Sequence, residues 1–324
     1  MLETLRLLEP VEVLGMAQVC RLWRQAVDSE ELWAYFCACE GYVRTGKEGY
    51  RQGVRLSRTM AFLRGLDLYL VDFHTGHREM FSLAPVELPC SQFFSLLLPS
   101  SELALLGGCY LEPGKGCARP MLISSKALAV RENCRSLGTL RKSRCLHSAI
   151  LFDGCIYVFG GVTTCTGFRD SELLLEKSCE CLSLAKDRDW RGIQPMLEGR
   201  YEFTVSAYRR YIYLCGGHQL TMERFQVDSG HFQLLSMSLS QEIWGTVLIS
   251  GQLILLNHDG YQQFSLSAGN TPKQAWKSND TTSRLSQCPP TANLIPCSAH
   301  IYQLSHDCVF LIDLKASSRS SWPN

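Results

Sequence analysis

The sequence predicts a mainly β chain built from one repeated sheet unit, with a small all-α segment in front of it. Three observations carry that expectation. Apolar runs of strand length come in pairs joined by tight-turn residues. The second run of a pair often ends in two glycines. Residues 1 to 40 instead place their apolar side chains at helical spacing.

The clearest unit is His147 to Gly161, HSAILFDGCIYVFGG. Asp153-Gly154 separates two apolar runs, and both residue types tolerate the positive φ of a primed hairpin turn. Gly160-Gly161 lets another backbone approach where a side chain would clash. The same layout recurs in Phe203 to Gly217, with Arg209-Arg210 at the turn, and in Phe93 to Gly108, with a Pro-Ser-Ser turn. Gly245 to Gly260 repeats it with Asn257-His258 in place of the glycines, and Ala292 to Ser305 is the weakest copy. The turns recur at intervals of roughly 40 to 55 residues, the range of propeller blades. Outer elements follow each hairpin, among them CECLSLAKDRDW, MERFQVDSGHFQLL, YQQFSLS and DCVFLIDL; LYLVDF and REMFSL, from Leu68 on, read as the outer hairpin of a first unit.

Bulk properties restrict the function classes. With 19% charged residues and a formal net charge of +1, the chain has no long-range field for nucleic acid or an anionic membrane. Apolar runs are of strand length, too short to span a bilayer as a helix. The opening MLETLRLLEP lacks the basic and small-residue features of a secretory signal. Most of the sixteen cysteines lie in apolar strand runs, as Cys155, Cys215, Cys297 and Cys308 do. Reduced, buried thiols in a cytoplasmic or nuclear protein are therefore expected.

In the front segment Leu5, Leu8, Val13, Leu14, Met16, Val19, Leu22 and Trp23 recur at helical spacing. Pro10 divides a first short helix from a second, and Asp28 or Ser29 caps a third that runs through Leu32, Trp33, Tyr35 and Phe36. Residues 41–66, glycine-bearing and basic, read as a linker with about one helical turn; residues 67–315 read as the β domain and 316–324 as a Ser-rich disordered tail.

Leu8 to Trp33 resembles an F-box. Val19-Cys20-Arg21-Leu22-Trp23 matches the family's V-C-R-x-W run, and Asp28 to Trp33 its D-x-x-L-W element. The family opens with a Leu-Pro and an apolar helix ahead of the residues matching Leu5 and Leu8; this sequence begins part-way through that helix, so a truncated or degenerate F-box is expected. The repeats resemble kelch repeats: Arg144 and His147 precede Gly160-Gly161, Trp190 follows and Met196 closes the unit; the next copy has Arg200, Gly216-Gly217, Phe225, Phe232 and Met237. That resemblance implies a kelch-type β-propeller, for which six blades fit best.

Together the resemblances imply the substrate-recognition subunit of an SCF-type, cullin–RING ubiquitin ligase. The Skp-type adaptor would be held by Leu5, Leu8, Pro10, Val13, Leu14, Val19, Cys20 and Trp23, and an unknown protein substrate by the propeller. No catalytic role, cofactor, metal, nucleic acid or membrane is implied. The alternatives are an interaction scaffold with a decayed F-box and a propeller-class enzyme.

Other constellations are weaker. A basic cluster of Arg131, Arg135, Arg141, Lys142 and Arg144 could receive an acidic or phosphorylated segment, against a solvated loop as the plain reading. Cys37, Cys39, His74 and His77 have poor zinc spacing, and Cys179-x-Cys181 reads as one packed face of a strand. His147, His218 and His258 hold related places in successive units and could converge on a channel, but each also has a structural explanation. Gly114-Lys115-Gly116 is no phosphate loop.

Overall fold

The computed structural model describes residues 2–6, 8, 10–40, 46–57, 59–64, 67–72, 77–82, 94–100, 102–110, 122–123, 126–130, 134–163, 174–185, 189–239, 243, 245–249, 252–257, 260–266, 273–278, 294–297, 300–304 and 309–313.

Five helices come first: α1 (Leu2–Leu5), α2 (Pro10–Met16), α3 (Arg21–Val27), α4 (Glu30–Glu40) and α5 (Gly46–Ser57). Pro10 opens α2, where its missing N–H costs nothing. Bonds from Gln18 N to Gly15 O and Val19 N to Met16 O tighten the chain, and Cys20 is extended before α3. The second helix expected from the sequence is thus two helices joined by a turn. Ser29 caps α4, its Oγ accepting from Leu32 N at 3.2 Å. Leu5, Val13, Val27, Leu32, Trp33 and Phe36 form a buried core, and Trp33 Nε1 donates to Val27 O at 2.6 Å.

Where the sequence reads as a linker, the structure has α5 and strand β1 (Thr59–Arg64). The glycines of α5 disfavour a helix in isolation. Tertiary packing overrides this: Tyr50 lies 5.2 Å from Trp33, ring to ring, beside the helical core. β1 pairs antiparallel with β2 (Asp67–Asp72), which pairs with β3 (Arg78–Ser82), so the β domain begins earlier than expected. The tail expected over 316–324 lies outside the described residues.

The five hairpins read from the sequence are all present. They are β4 (Phe94–Leu97) with β5 (Leu103–Leu106), β10 (Ser148–Phe152) with β11 (Cys155–Phe159), and β14 (Phe203–Tyr208) with β15 (Tyr211–Gly216). The last two are β18 (Gly245–Ile249) with β19 (Gln252–Asn257), and β22 (Leu294–Cys297) with β23 (His300–Leu304). Asp153 and Gly154 have φ of 47° and 70°, the primed turn their identities demand. Each hairpin acquires outer strands. β8 (Lys126–Val130) and β9 (Cys134–Thr139) extend the first, β12 (Cys179–Ser183) and β13 (Arg191–Ile193) the second, and β16 (Thr221–Gln226) and β17 (His231–Ser238) the third. β20 (Gly260–Ser265) and β21 (Lys273–Ser278) extend the fourth, and β24 (Val309–Asp313) the last. A separate two-stranded ribbon, β6 (Cys109–Tyr110) and β7 (Leu122–Ile123), leaves the first hairpin. Among the described residues the result is four four-stranded antiparallel meanders between two three-stranded ones.

The first strands of successive sheets lie side by side, β1 against β4, β4 against β10, then β14, β18 and β22 in turn. Hydroxyls link them: Ser148 Oγ donates to Phe203 O, and Ser206 and Thr246 share a bond of 2.9 Å. The apolar cores lie between sheets, not within them. Phe159 of one sheet meets Phe225 and Phe232 of the next, while Tyr213, Cys215 and Met222 pack with Leu253 and Leu255 beyond.

Candidate functional site

The sheet junctions explain the glycine pairs. Gly160 and Gly161 both have positive φ, and a Cβ on them would lie 2.6 Å from Arg200 O and 2.5 Å from Cys145 O. Gly161 N donates to Arg200 O at 2.8 Å, as Gly108 N does to Arg144 O at 2.9 Å. Without side chains, Gly160 lets the loop entering the next sheet sit on it, and Gly161 the loop entering its own sheet.

Two arginines anchor those loops. Arg144 is fully buried; it donates to Gly160 O and Ser178 O and pairs with Glu180 at 2.5 Å. Arg200 repeats this with Gly216 O, Thr221 O and Glu223. Each glutamate also accepts two backbone N–H groups of the arginine's own loop, Glu180 from Arg141 and Lys142, Glu223 from Leu197 and Glu198. Such satisfaction is what a buried charge requires. Trp190 crosses between sheets, its Nε1 donating to Leu137 O at 3.0 Å.

These facts correct the basic-cluster expectation. Arg144 is a structural anchor with no surface to offer a ligand. Arg135 is held in a bidentate pair by Glu102, at 2.7 and 2.6 Å, and Lys142 pairs with Glu176 at 2.8 Å. Arg141 is exposed, and Arg131 lies outside the described residues.

The histidines do not form one site. His147 is buried where the next sheet has Phe203, 6.1 Å from the ring of Phe94. Neither of its ring nitrogens has a hydrogen-bond partner among the described residues. Burial, with Arg144 nearby, pushes the imidazole down to about 3, so it is neutral. His218 is exposed and stacks on Tyr201 at 5.1 Å, and His258 lies outside the described residues. Cys37 is buried, its thiol donating to Gly46 O, and His77 is exposed near Glu79, while His74 lies outside the described residues. Among the described residues no group of three His, Cys, Asp or Glu is placed to hold a metal ion, and no helix is long and apolar enough to cross a membrane. Cys179 and Cys215 are pushed up to about 12 by burial, and Cys179 and Cys181 share one packed face.

In the helical segment the expected docking residues divide. Leu5 and Val13 are core, with no accessible surface, so they hold the helices together and cannot form a docking face. Leu8, Pro10 and Trp23 are half-buried, and Leu8 and Trp23 pack on that core. Leu14, Val19 and Cys20 are exposed. Leu22, which the sequence reading did not place among the docking residues, joins them; its helical spacing was the available signal. Leu14, Val19 and Leu22 expose 49%, 63% and 59% of their surface, unusually apolar for so short a stretch.

Comparison with known proteins bears on both parts. Residues 1–39 match the F-box-like family model. The chain also resembles Kelch-like protein 38 of Homo sapiens, 29% identical over 162 residues, which is 48% of this chain and 26% of that protein. The two matches together support an F-box-like segment combined with a kelch-like region. The segment that matches the F-box-like model is the α1–α4 unit, and the described residues beyond it are mainly a series of antiparallel sheets. The match reaches about a quarter of the length of that kelch-like relative.

Proposed function

We propose that this F-box plus kelch-type protein is the substrate-recognition subunit of an SCF-type ubiquitin ligase. The observation that carries the reading is the exposed apolar set Leu14, Val19 and Leu22 on a segment matching the F-box-like model. Exposed apolar side chains on α2, on α3 and on the turn between them fit a groove on a Skp-type adaptor. The sheets close into a six-bladed ring whose loops hold a protein substrate. The chain performs no covalent chemistry. It raises the effective concentration of substrate lysines near a ubiquitin-loaded enzyme.

The test is co-purification of the full chain with a recombinant Skp-type adaptor. Val19→Asp with Leu22→Asp changes only exposed positions, so the fold survives and adaptor binding is lost. Retention of the adaptor by that variant at parental level rejects the assigned face.

A further inference from the structure

We propose that the junction between the β14–β17 sheet and the β18–β21 sheet binds a phosphate monoester at its hairpin-tip end. The site lies at the opposite end from the glycine pairs, and it does not depend on the reading of the chain as a ligase subunit. Arg209-Arg210 is the turn from β14 to β15, and residues 227–230 join β16 to β17 at the same end. Arg209 has φ of 55°, in the left-handed region, where the matching turn of the preceding sheet has Asp153-Gly154. Two arginines in this tight turn keep a strain that Asn or Gly would relieve.

The strand register lines up the rest. Tyr208 pairs with Tyr211; one row inward, Tyr213 pairs with Arg224 and Arg224 with Gln233. Both rows share the sheet face turned toward β18–β21, where the three tyrosines pack with Leu248, Leu253 and Phe264. In the preceding sheet Cys181, paired with Tyr157, holds the place of Arg224 and is packed core. Here that place carries a cation.

Charge selects the ligand. Arg224 is half-buried; its Cζ lies 4.5 Å from the Tyr211 ring centroid, and its Nε and Nη2 both donate to Gln233 Oε1, at 3.0 and 2.7 Å. Arg209 is exposed, its Cζ 5.3 Å from the Tyr208 ring centroid. The paired tyrosines thus each carry a guanidinium. Among the described residues neither guanidinium meets a carboxylate, whereas Arg144, Arg200 and Arg210 are each answered by one. A guanidinium fixed by an amide and a ring keeps its charge for a ligand. Two such charges match a phosphate monoester, which carries about −1.5 to −2 at neutral pH, better than a singly charged carboxylate.

The experiment titrates the full chain calorimetrically with glycerol phosphate, with a Gly-phosphoserine-Gly tripeptide and with Gly-Glu-Gly. Both phosphate esters bind, and Gly-Glu-Gly binds about tenfold or more weakly. Arg224→Gln weakens the esters by about tenfold or more, and Arg209→Gly, which removes a charge and eases the turn, weakens them by about fivefold with no loss of thermal stability. Arg210→Gln with Asp228→Asn removes a pair that already satisfies itself and leaves affinity within about twofold. A preference for the tripeptide of about tenfold or more makes the ligand a phosphorylated protein segment, and a smaller one makes it a free phosphate ester. Absence of binding by both esters at millimolar concentration, or Gly-Glu-Gly binding as tightly as they do, overturns the proposal. So does unchanged affinity in Arg209→Gly, which decides alone if Arg224→Gln does not fold.

Discussion

Acid sensitivity of the fold should trace to one imidazole. His147 is buried, neither ring nitrogen has a partner among the described residues, and burial beside Arg144 pushes it from the usual 6.5 down to about 3. A base with a depressed folded pKa stabilises the native state fully above its unfolded pKa and loses that contribution as pH falls through the window between the two. Protonation in the unfolded chain alone lowers stability by about 1.4 kcal/mol per pH unit below 6.5, or about 2 kcal/mol between pH 8 and pH 5. His147→Phe removes this titration and installs the side chain that the equivalent place in the next sheet already holds, Phe203, whose ring lies against Gly160 as His147 lies against Gly107. At pH 8 the variant should match the parent within about 1 kcal/mol. At pH 5 it should be about 2 kcal/mol more stable than the parent. Urea unfolding followed by far-UV circular dichroism at both pH values measures the difference. A variant that weakens between pH 8 and pH 5 as much as the parent refutes the assignment.

Other outcomes follow from the same contacts. Gly160→Ala, with a Cβ placed 2.6 Å from Arg200 O, should destabilise well beyond the roughly 1 kcal/mol strain expected for Gly230→Ala, whose φ is also positive but which has nothing within 4 Å; paired urea unfolding curves decide. Arg200→Ala leaves Glu223 buried and unpaired and should cost about 3–5 kcal/mol, whereas Arg210→Ala, which breaks the exposed pair with Asp228, should cost under about 1 kcal/mol. In native alkylation mapped by mass spectrometry, exposed Cys20 should react promptly, and Cys179 and Cys215 only after unfolding.

Much of this architecture was legible because it rests on local chemistry. Asp153-Gly154 can do little else between two apolar runs, and the glycine pairs after three of the second strands announce close backbone approach. Ser29 and Pro10 mark helix starts on their own. What escaped the sequence depends on neighbours distant in the chain. The α5 helix has glycines and basic residues that argue against it, and it is held by contacts to Trp33. Arg144 looks like one cation in a surface cluster until Glu180, on the third strand of the sheet that Arg144 leads into, is paired with it. Glu180 is a lone acid in the otherwise uncharged third strand CECLS, a signal of an internal partner, whereas Glu223 sits among the polar residues of TMERFQ and carries no such signal. Amphipathic spacing picked out the residues of the helical segment, but not which of them face inward, and so grouped Leu5 and Val13 with Leu14 and Val19.

The arginine fingers reach back across a fixed stretch of chain: Arg144 to Gly160 and Arg200 to Gly216 are both separations of sixteen residues. That ruler sets the guanidinium against the carbonyl of the first glycine of the pair in both sheets. Beyond the glycines no such ruler operates, and the path from β11 to β12 is far longer than that from β15 to β16. Connection lengths therefore differ beyond the glycines while the arginine-to-glycine span of the two hairpins stays the same, so those connections can change under an unchanged interlocked frame.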